Sequence, residues 1–483
     1  VGDMLSSDLK KNEAALREAF ADCEDVVFRK FTIGEGQRTI LMIYIDNMVL
    51  GDVIYAAVMT NIMQRAHQDS TLSELVEEAV AVGEVKQVED LQTAKDAILV
   101  GDTLLLMDGS SYGAQLSTKK YPSRGVGKVE NEMVVQGPKE AFTEQISTNI
   151  VLIRRRIRDT KLKVRRQRIG KKGKSDVALL YLSDRAKPET VQEVKKELDK
   201  LSVSALYDSG YLEQLLEKNW KSVFPMMQIT ERPDKTAAAL LEGRIVLAVD
   251  NTPFCILLPV TLNLLFQAAE DYYDRWQLVS ALRMLRYLAA WIAITLPALY
   301  ISMAVFQPQM LPTSLALKIA QSREGIPFSV VSEVVMMELA FELLREAGVR
   351  LPSPVSSTMG IVGGIIIGSA AVEAGIVSPM SVIISSLCGI CTFLIPNPAL
   401  VSAIRLMKYP MILLSAMFGL LGLWVGQVVM LLHLASLKSF GIPYLYPFVS
   451  PSVRDYEDLK DSLIRFPLRF LQRSSIFERR KGK

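Results

Sequence analysis

The stretch from Ser322 to Pro398 decides how this chain is read. It runs SREGIPF (Ser322–Phe328), VVMMELAFELLREAGVRLPSP (Val334–Pro354), MGIVGGIIIGSAAVEAGIVSP (Met359–Pro379), then an uncharged run that ends at Pro396-Asn397-Pro398. Glu338, Glu342 and Glu346 recur every four residues, which stacks three carboxylates on one helix face, with Arg345 and Arg350 close by. Such a stripe is either the solvated face of an interfacial helix or the polar lining of a watery path through a membrane. Gly360, Gly363, Gly364 and Gly368 lie in the next, uncharged piece and are residues that let helix backbones approach closely in lipid. That piece meets Glu373. A lone carboxylate at mid-span costs about 2.5 to 3.5 kcal/mol on insertion scales for the comparable Asp, so Glu373 calls for a cavity, a partner or the interface.

Composition fits a soluble region joined to a membrane region. Half of the 483 residues are hydrophobic while 22% are charged, and the mean hydropathy is +0.24. The charges concentrate before about Arg286 and after about Arg454. A net charge of +3 is too small to argue for nucleic acid. Four scattered cysteines give no disulfide framework, and with only two histidines a His/Cys zinc site is not expected. Cys388-Gly-Ile-Cys391 has redox spelling but sits in an apolar run rather than after a strand. No amino-terminal apolar export signal is seen, so the amino-terminal region is expected to stay in the cytosol. No cofactor or metal is expected.

The first half reads as two copies of one α/β plan. An amphipathic helix at Leu5–Phe20, capped by Ser7 or Asp8, precedes a hairpin of Val26–Ile33 and Arg38–Asp46, then a helix at Asp52–Arg65. Leu91–Gly101 is a glycine-ended helix before a buried strand, Asp102–Gly109. The order returns with a hairpin of Lys163–Gly170 and Ser175–Asp184, a helix at Lys187–Leu201, and Lys235–Gly243 before the strand Arg244–Asp250. Between the copies, Gly137-Pro138 opens a loop and Lys139–Arg158 reads as one long helix. Its basic end, Arg154-Arg155-Arg156 with Lys161, Lys163, Arg165, Arg166 and Arg168, is either a solvated charge run or a contact for anionic lipid headgroups. Asp108 and Asp250 end strands, where turn chemistry favours Asp.

After Asp250 the chain turns apolar. Thr252–Ala269 is uncharged but broken by prolines, and reads as interfacial, re-entrant or a further span. Four spans are expected, near Tyr287–Phe306, Val355–Val372, Ile376–Ile395 and Met411–Leu434. An even count puts both ends on one side. Arg283, Arg286 and the Arg/Lys-rich tail place that side in the cytosol, against which Arg405 and Lys408 stand as a conflict. The expected fold is an α+β cytosolic region of two related α/β modules followed by an α-helical transmembrane bundle of four spans, or five if Thr252–Ala269 crosses. The expected divisions are 1–136, the first module with its helix; 137–250, the linker helix and second module; 251–286, interfacial; 287–450, transmembrane; and 451–483, a basic tail.

Seven pieces in order carry a family likeness: QGPKEAF (Gln136–Phe142), TNIVLIRRR (Thr148–Arg156), TERPDK (Thr230–Lys235), EDYYDRW (Glu270–Trp276), SREGIPF, ELLREAGVRLP (Glu342–Pro352) and GGIIIGSAAVEAGIVSP (Gly363–Pro379). The chain resembles the A subunit of spore germinant receptors of the GerA family. The resemblance implies an integral protein of the spore inner membrane. It implies partnership with a transporter-like B subunit and a lipoprotein C subunit, and homo-oligomerisation into an ion channel. The motif charges it carries over are Arg232, Asp234, Arg323, Glu324, Glu342, Arg345, Glu346 and Glu373, with Arg350 in the same motif as Arg345.

The leading expectation is thus a nutrient-responsive, cation-permeable receptor subunit embedded in membrane lipid. Glu338, Glu342, Glu346 and Glu373 would line the ion path, since rings of acids select cations, and Gly360, Gly363, Gly364 and Gly368 would pack the helices around it. The alternatives are an accessory channel of the same family that amplifies rather than senses, and a secondary transporter, for which repeats among the spans would speak. An enzyme is not expected, because no nucleotide loop, nucleophile elbow or zinc-protease motif occurs.

Overall fold

The computed structural model describes residues 3–33, 38–65, 71–80, 84–120, 132, 134, 136–350, 364, 366–449, 459–470 and 476–479. Its first half contains two five-stranded antiparallel sheets. The first is built from β1 (Val26–Ile33), β2 (Arg38–Ile45), β3 (Val85–Val88), β4 (Thr103–Met107) and β5 (Gly113–Leu116). The second is built from β6 (Leu162–Ile169), β7 (Ser175–Leu182), β8 (Gln228–Thr230), β9 (Ile245–Val249) and β10 (Cys255–Leu258). Their spatial orders, β1-β2-β4-β5-β3 and β6-β7-β9-β10-β8, are the same order of elements twice. Each sheet carries a hydrophobic core on both faces, which is why β4 and β9 read as unbroken apolar runs rather than alternating ones.

The repetition extends to single side chains. Asn12 accepts from the Ser6 backbone N–H and donates to the Ser6 carbonyl, and Asn149 does the same with Thr143, at the same spacing of six. The strand-ending Asp108 accepts from the Leu9 N–H, and Asp250 from the Ile146 N–H. Leu9 and Ile146 each open the leading helix of their module, Leu9–Ala19 and Ile146–Arg154, so each aspartate satisfies an otherwise orphaned donor at a helix start. The expected two related modules are present.

Local readings mostly hold at the hairpins, at the Pro188–Asp199 helix with proline in its first turn, and at Gly101 and Gly243, whose left-handed φ of 96° and 86° ends a helix before a strand. Three expectations are corrected. The long helix at Lys139–Arg158 is confined to Ile146–Arg154, because Phe142 pairs its N–H with the Glu231 carbonyl and Thr143 is tied to Asn149. Asp52–Arg65 is a wide π-helical coil over Val53–Thr60 running into an α-turn at Asn61–Arg65. The apolar run after Asp250 does not start in the membrane: Cys255–Leu258 is β10, paired on both sides with β8 and β9, so the second module extends past residue 250.

The modules are joined by a buried ion pair. Arg154, at the end of its helix, donates to both carboxylate oxygens of Asp25, one bond being 2.8 Å, and both residues are at most 1% exposed. Removing one partner of such a pair costs about 3 to 5 kcal/mol. The backbone of Val164 exchanges two further bonds with Asp22 and Glu24. Five more basic side chains of this cluster are paired with acids: Arg155 and Arg156 with Glu140, Lys161 with Asp184, Arg165 with Asp22, and Arg168 with Asp176. The cluster is neutralised largely within the protein.

The second half is helical. Among the described residues, two helices are long and apolar enough to cross a membrane, Trp276–Phe306 and Pro398–Ser436, and Pro379–Phe393 is a shorter apolar helix. A further helix, Val330–Arg350, carries the acidic stripe. The expected span at Val355–Val372 lies largely outside the described residues. Pro398–Ser436 is not one rod. Gly419 breaks it with φ 61° and ψ −140°, and a Cβ on Gly422 would run into the Leu414 carbonyl oxygen. In a continuous helix those residues are about 12 Å apart. The two halves therefore fold back as a hairpin, Leu414 against Gly422 and Met411 against Gly426, with Phe306 packed on Gly419.

Candidate functional site

The charged residues of the helical half gather in three polar knots. At the foot of the Trp276–Ile301 helix, Arg283 donates to Asp271 (2.9 Å) and Asp461 (2.7 Å), and Arg286 donates to both oxygens of Asp271 at 2.8 and 2.9 Å. Tyr272 adds a 2.7 Å bond to Asp461. These contacts clamp the tail residue Asp461 against the start of a spanning-length helix, and they use the two arginines read from sequence as topology signals.

A second knot lies at the start of the Val330–Arg350 helix. Glu333 is fully buried and accepts from Arg323 (3.1 Å), from the Ser378 N–H (3.0 Å) and hydroxyl (2.7 Å), and from the Ser381 hydroxyl (3.0 Å). The motif SREGIPF is thereby tied to GIVSP, which caps the Pro379–Phe393 helix through the Ser378 side chain. Glu324, next to Arg323, stays exposed.

The third knot holds the acidic stripe. Lys408 is hydrogen-bonded to Glu338, and Arg405 holds Glu342 through both carboxylate oxygens, with a 2.9 Å bond from its Nε. Arg345 lies 3.5 Å from Glu342 and donates to the Thr392 hydroxyl at 3.2 Å. Exposure grades along the stripe: Glu338 is 1% exposed, Glu342 partly covered, Glu346 open. The acidic face read from sequence as solvated or lining a watery path is neutralised at Glu338 and Glu342 by the first half of the Pro398–Ser436 hairpin. Glu373 is exposed. The side chain of Arg350 lies outside the described residues.

These pairs fix helix directions. Glu338–Lys408 and Glu342–Arg405 run in opposite senses, so the two helices are antiparallel. Glu333 with Ser378 and Arg345 with Thr392 run in the same sense, so Val330–Arg350 and Pro379–Phe393 are parallel. Along the latter, Ser378, Ser381, Ser385, Cys388 and Thr392 form one buried polar face. The cysteine pair belongs to this helix as free, buried thiols.

Within one copy, and among the described residues, Gly364 and Gly368 make no close approach. Gly360 and Gly363 lie outside the described residues, a Cβ on Gly364 would meet nothing within 4 Å, and one on Gly368 would touch only Val382 at 3.7 Å. Close approach happens at Gly419, Gly422 and Gly426. Sequence reasoning missed these, and also Glu333, Arg405, Lys408 and Asp271 as partners. The spacing Gly422-x-x-x-Gly426 was the available signal for the hairpin.

The other motif charges serve the second module. Arg232 is fully buried, donating to Asp234 at 2.7 and 3.1 Å, to the Glu132 carbonyl and to the Pro138 carbonyl. Asp234 also accepts from Tyr273 at 2.7 Å. Burial opposes ionisation of Asp234, but the bonds from Arg232 and Tyr273 hold its carboxyl below the ordinary range. Burial and the same carboxylate push Tyr273 up to about 12. QGPKEAF, TERPDK and EDYYDRW thus meet at one point.

Comparison with known proteins places the chain in a family. A model of the Bacillus/Clostridium GerA spore germination protein family matches residues 14–476. The chain is 38% identical over 464 residues to the uncharacterized membrane protein YfkQ of Bacillus subtilis, covering 96% of this chain and 90% of that one. It is 37% identical to spore germination protein KA (96% and 85% covered) and 34% identical to spore germination protein B1 (97% and 97%), both of Bacillus subtilis. Among solved structures it is similar to the N-terminal domain of the A subunit of the Bacillus megaterium spore germinant receptor GerK3. That match has 30% identity and a TM-score of 0.42, covering 53% of this chain and 96% of that one. With a family match over nearly its whole length and relatives above 30% identity on most of theirs, the chain belongs to the GerA family of spore germination proteins.

Proposed function

We propose that the chain is the A-type subunit of a nutrient-responsive germinant receptor in the spore inner membrane. Copies of it assemble into a cation-permeable path, alongside a transporter-like B subunit and a lipoprotein C subunit. Family membership over residues 14–476 carries this reading. The helical half supports its membrane part, because charges inside an apolar bundle are tolerated when paired, as Glu338 and Glu342 are with Lys408 and Arg405. By exposure the ion-path assignment falls on Glu346 and Glu373, the two exposed acids of the four, with the exposed apolar side chains Leu343, Phe393 and Leu421 facing lipid or another copy. The protein acts as a receptor subunit and not as a catalyst, with both termini in the cytosol.

The test is electrical recording from the purified chain in planar bilayers, alone and with candidate B and C partners, while nutrients are added. Nutrient-dependent cation current that Glu346→Gln and Glu373→Gln both reduce supports the proposal. Absence of current from every combination, in preparations shown to be assembled, overturns the channel; current without nutrient dependence points instead to an accessory, amplifying channel.

A further inference from the structure

A cavity of about 600 Å3 lies between the second sheet, the interfacial segment before Trp276 and the tail. Nothing in the receptor reading uses it. Its size suits a small organic molecule, since ligand sites commonly enclose about 300 to 1,000 Å3. On one wall stands Arg244, at the start of β9 and 3% exposed. Its guanidinium donates to the Pro259 carbonyl at 2.9 Å and to the Gln228 side-chain oxygen at 3.3 Å. Among the described residues no carboxylate makes a salt bridge with it, although the nearby Glu242 partly offsets its burial. Burial lowers its pKa to about 10, the sign of a cation short of counter-charge.

Gln228 supplies the second observation. It is 2% exposed and lines the same cavity. Because its oxygen accepts from Arg244, its amide must present the NH2 group elsewhere, and that nitrogen is buried without an acceptor. A buried donor left unmade costs about 1 to 3 kcal/mol, more beside a charge. Three acids stand on the wall: Asp234 is held by Arg232 and Tyr273, Asp461 by Arg283 and Tyr272, and Glu242 makes no ion pair with Arg244. Lys460, also on the wall, adds positive charge, whereas Leu264, Ala268 and Phe477 supply an apolar floor. Four basic side chains and three acidic ones line the cavity. The equivalent position in the first module carries the opposite charge, Asp102, one of whose carboxylate oxygens is held by Gln115 at 2.7 Å and Lys119 at 3.5 Å. The duplication does not require a bare cation at this point.

We propose that this cavity binds an organic anion, whose phosphate or carboxylate group is held by Arg244 and Gln228 while its body lies against Leu264, Ala268 and Phe477. Phe477 belongs to a tail segment docked on the second module, where Glu478 pairs with Arg185 at 3.0 Å and Arg479 bonds the Arg185 carbonyl. A bound anion therefore also ties the tail to the sheet. A headgroup of an anionic lipid and a free cytosolic organic anion present the same chemistry, and the experiment separates them.

The full chain in phosphatidylcholine nanodiscs is titrated calorimetrically with glycerol 3-phosphate and with succinate. In a third arm, melting is followed by tryptophan fluorescence in nanodiscs with and without phosphatidylglycerol. Saturable binding of a free probe, or a higher melting temperature with phosphatidylglycerol alone, identifies the soluble or the lipid source. In either case Gln228→Leu and Arg244→Gln should weaken the effect at least about tenfold, the loss expected for a charge-assisted bond. Arg244→Lys should recover part of it. If Arg244→Gln does not fold by circular dichroism, Gln228→Leu decides. No response of the wild-type chain in any arm, or equal responses in wild type and variants, overturns the proposal. Neither result bears on ion conduction, so this test and that of the receptor reading fail separately.

Discussion

Replacing Lys408 by Met removes the cation beside Glu338 while nearly preserving side-chain length. Lys408 is 6% and Glu338 1% exposed, and they join antiparallel helices. For unit charges about 3 Å apart at an effective dielectric of about 20, the attraction is about 5 kcal/mol, set against the desolvation of both groups. Stripping one partner leaves the other buried and uncompensated, a loss of about 3 to 5 kcal/mol. Lys408 also lies 3.9 Å from Glu342, so Lys408→Met unbalances a second acid, and the upper end of that range is expected. The double variant Glu338→Gln with Lys408→Met carries no buried charge at either position and should regain at least half of the loss. Unfolding of the four proteins in nanodiscs closes a double-mutant cycle, with an expected coupling of at least about 2 kcal/mol. If Lys408→Met unfolds like the wild type, or if the two single losses add to within about 0.5 kcal/mol, the pair does not hold these helices together.

Glycine substitutions separate packing inside the chain from packing between chains. Gly422→Ala, whose methyl would collide with the Leu414 backbone, should cost about 3 kcal/mol or block insertion, whereas Gly364→Ala should leave the melting of a single copy unchanged. Crosslinking of Gly364→Leu then reads whether that glycine meets another copy. The soluble half supplies a pH prediction. Burial first, and then Glu217, raise the pKa of Glu213 to about 7 from an ordinary 4.5. The folded chain then holds more protons than the unfolded one between these values, so stability falls as pH rises from about 4.5 to 7. Allowing for its partial exposure, the contribution is about 1 to 2 kcal/mol. Melting temperatures of Glu213→Gln measured at pH 5 and pH 8 should differ less than those of the wild type; an unchanged difference refutes the assignment.

What could be read from sequence was local. The paired hairpins, the glycine-ended helices and the strand-ending Asp108 and Asp250 are set by neighbours within a few residues, and so the duplicated module was visible before any contact was known. The misreadings arose where a distant group decided. Phe142 continued the apolar period of a helix, but the Glu231 carbonyl, far along the chain, drew its backbone into an extended path. Cys255–Leu258 had the composition of a membrane segment because β10 is covered on both faces, which leaves no polar alternation to betray a strand. The acidic stripe was visible and its partners were not, because Arg405 and Lys408 lie more than sixty residues away. Their conflict with the topology rule was itself the trace of those partners: both are neutralised inside the bundle and so say little about which side they face.

The geometry of that stripe explains why its pairing has one register. Apolar side chains gain little by packing against each other rather than against lipid, so contacts between apolar faces do little to fix how far one helix slides along its neighbour. Here three carboxylates four residues apart face two cations three residues apart. A slide of one turn, about 5.4 Å, would set Lys408 against Glu342 and Arg405 against Glu346, and would leave Glu338 without a cation. Glu338 is the most deeply buried of the three, and its second carboxylate oxygen already lacks a partner. The slid register therefore uncovers the acid that is costliest to leave alone, while the observed one leaves the acid nearest solvent, Glu346, outside the two cation pairs. The gradient of burial along the Val330–Arg350 helix, together with the unequal number of charges, selects the alignment that the apolar residues do not.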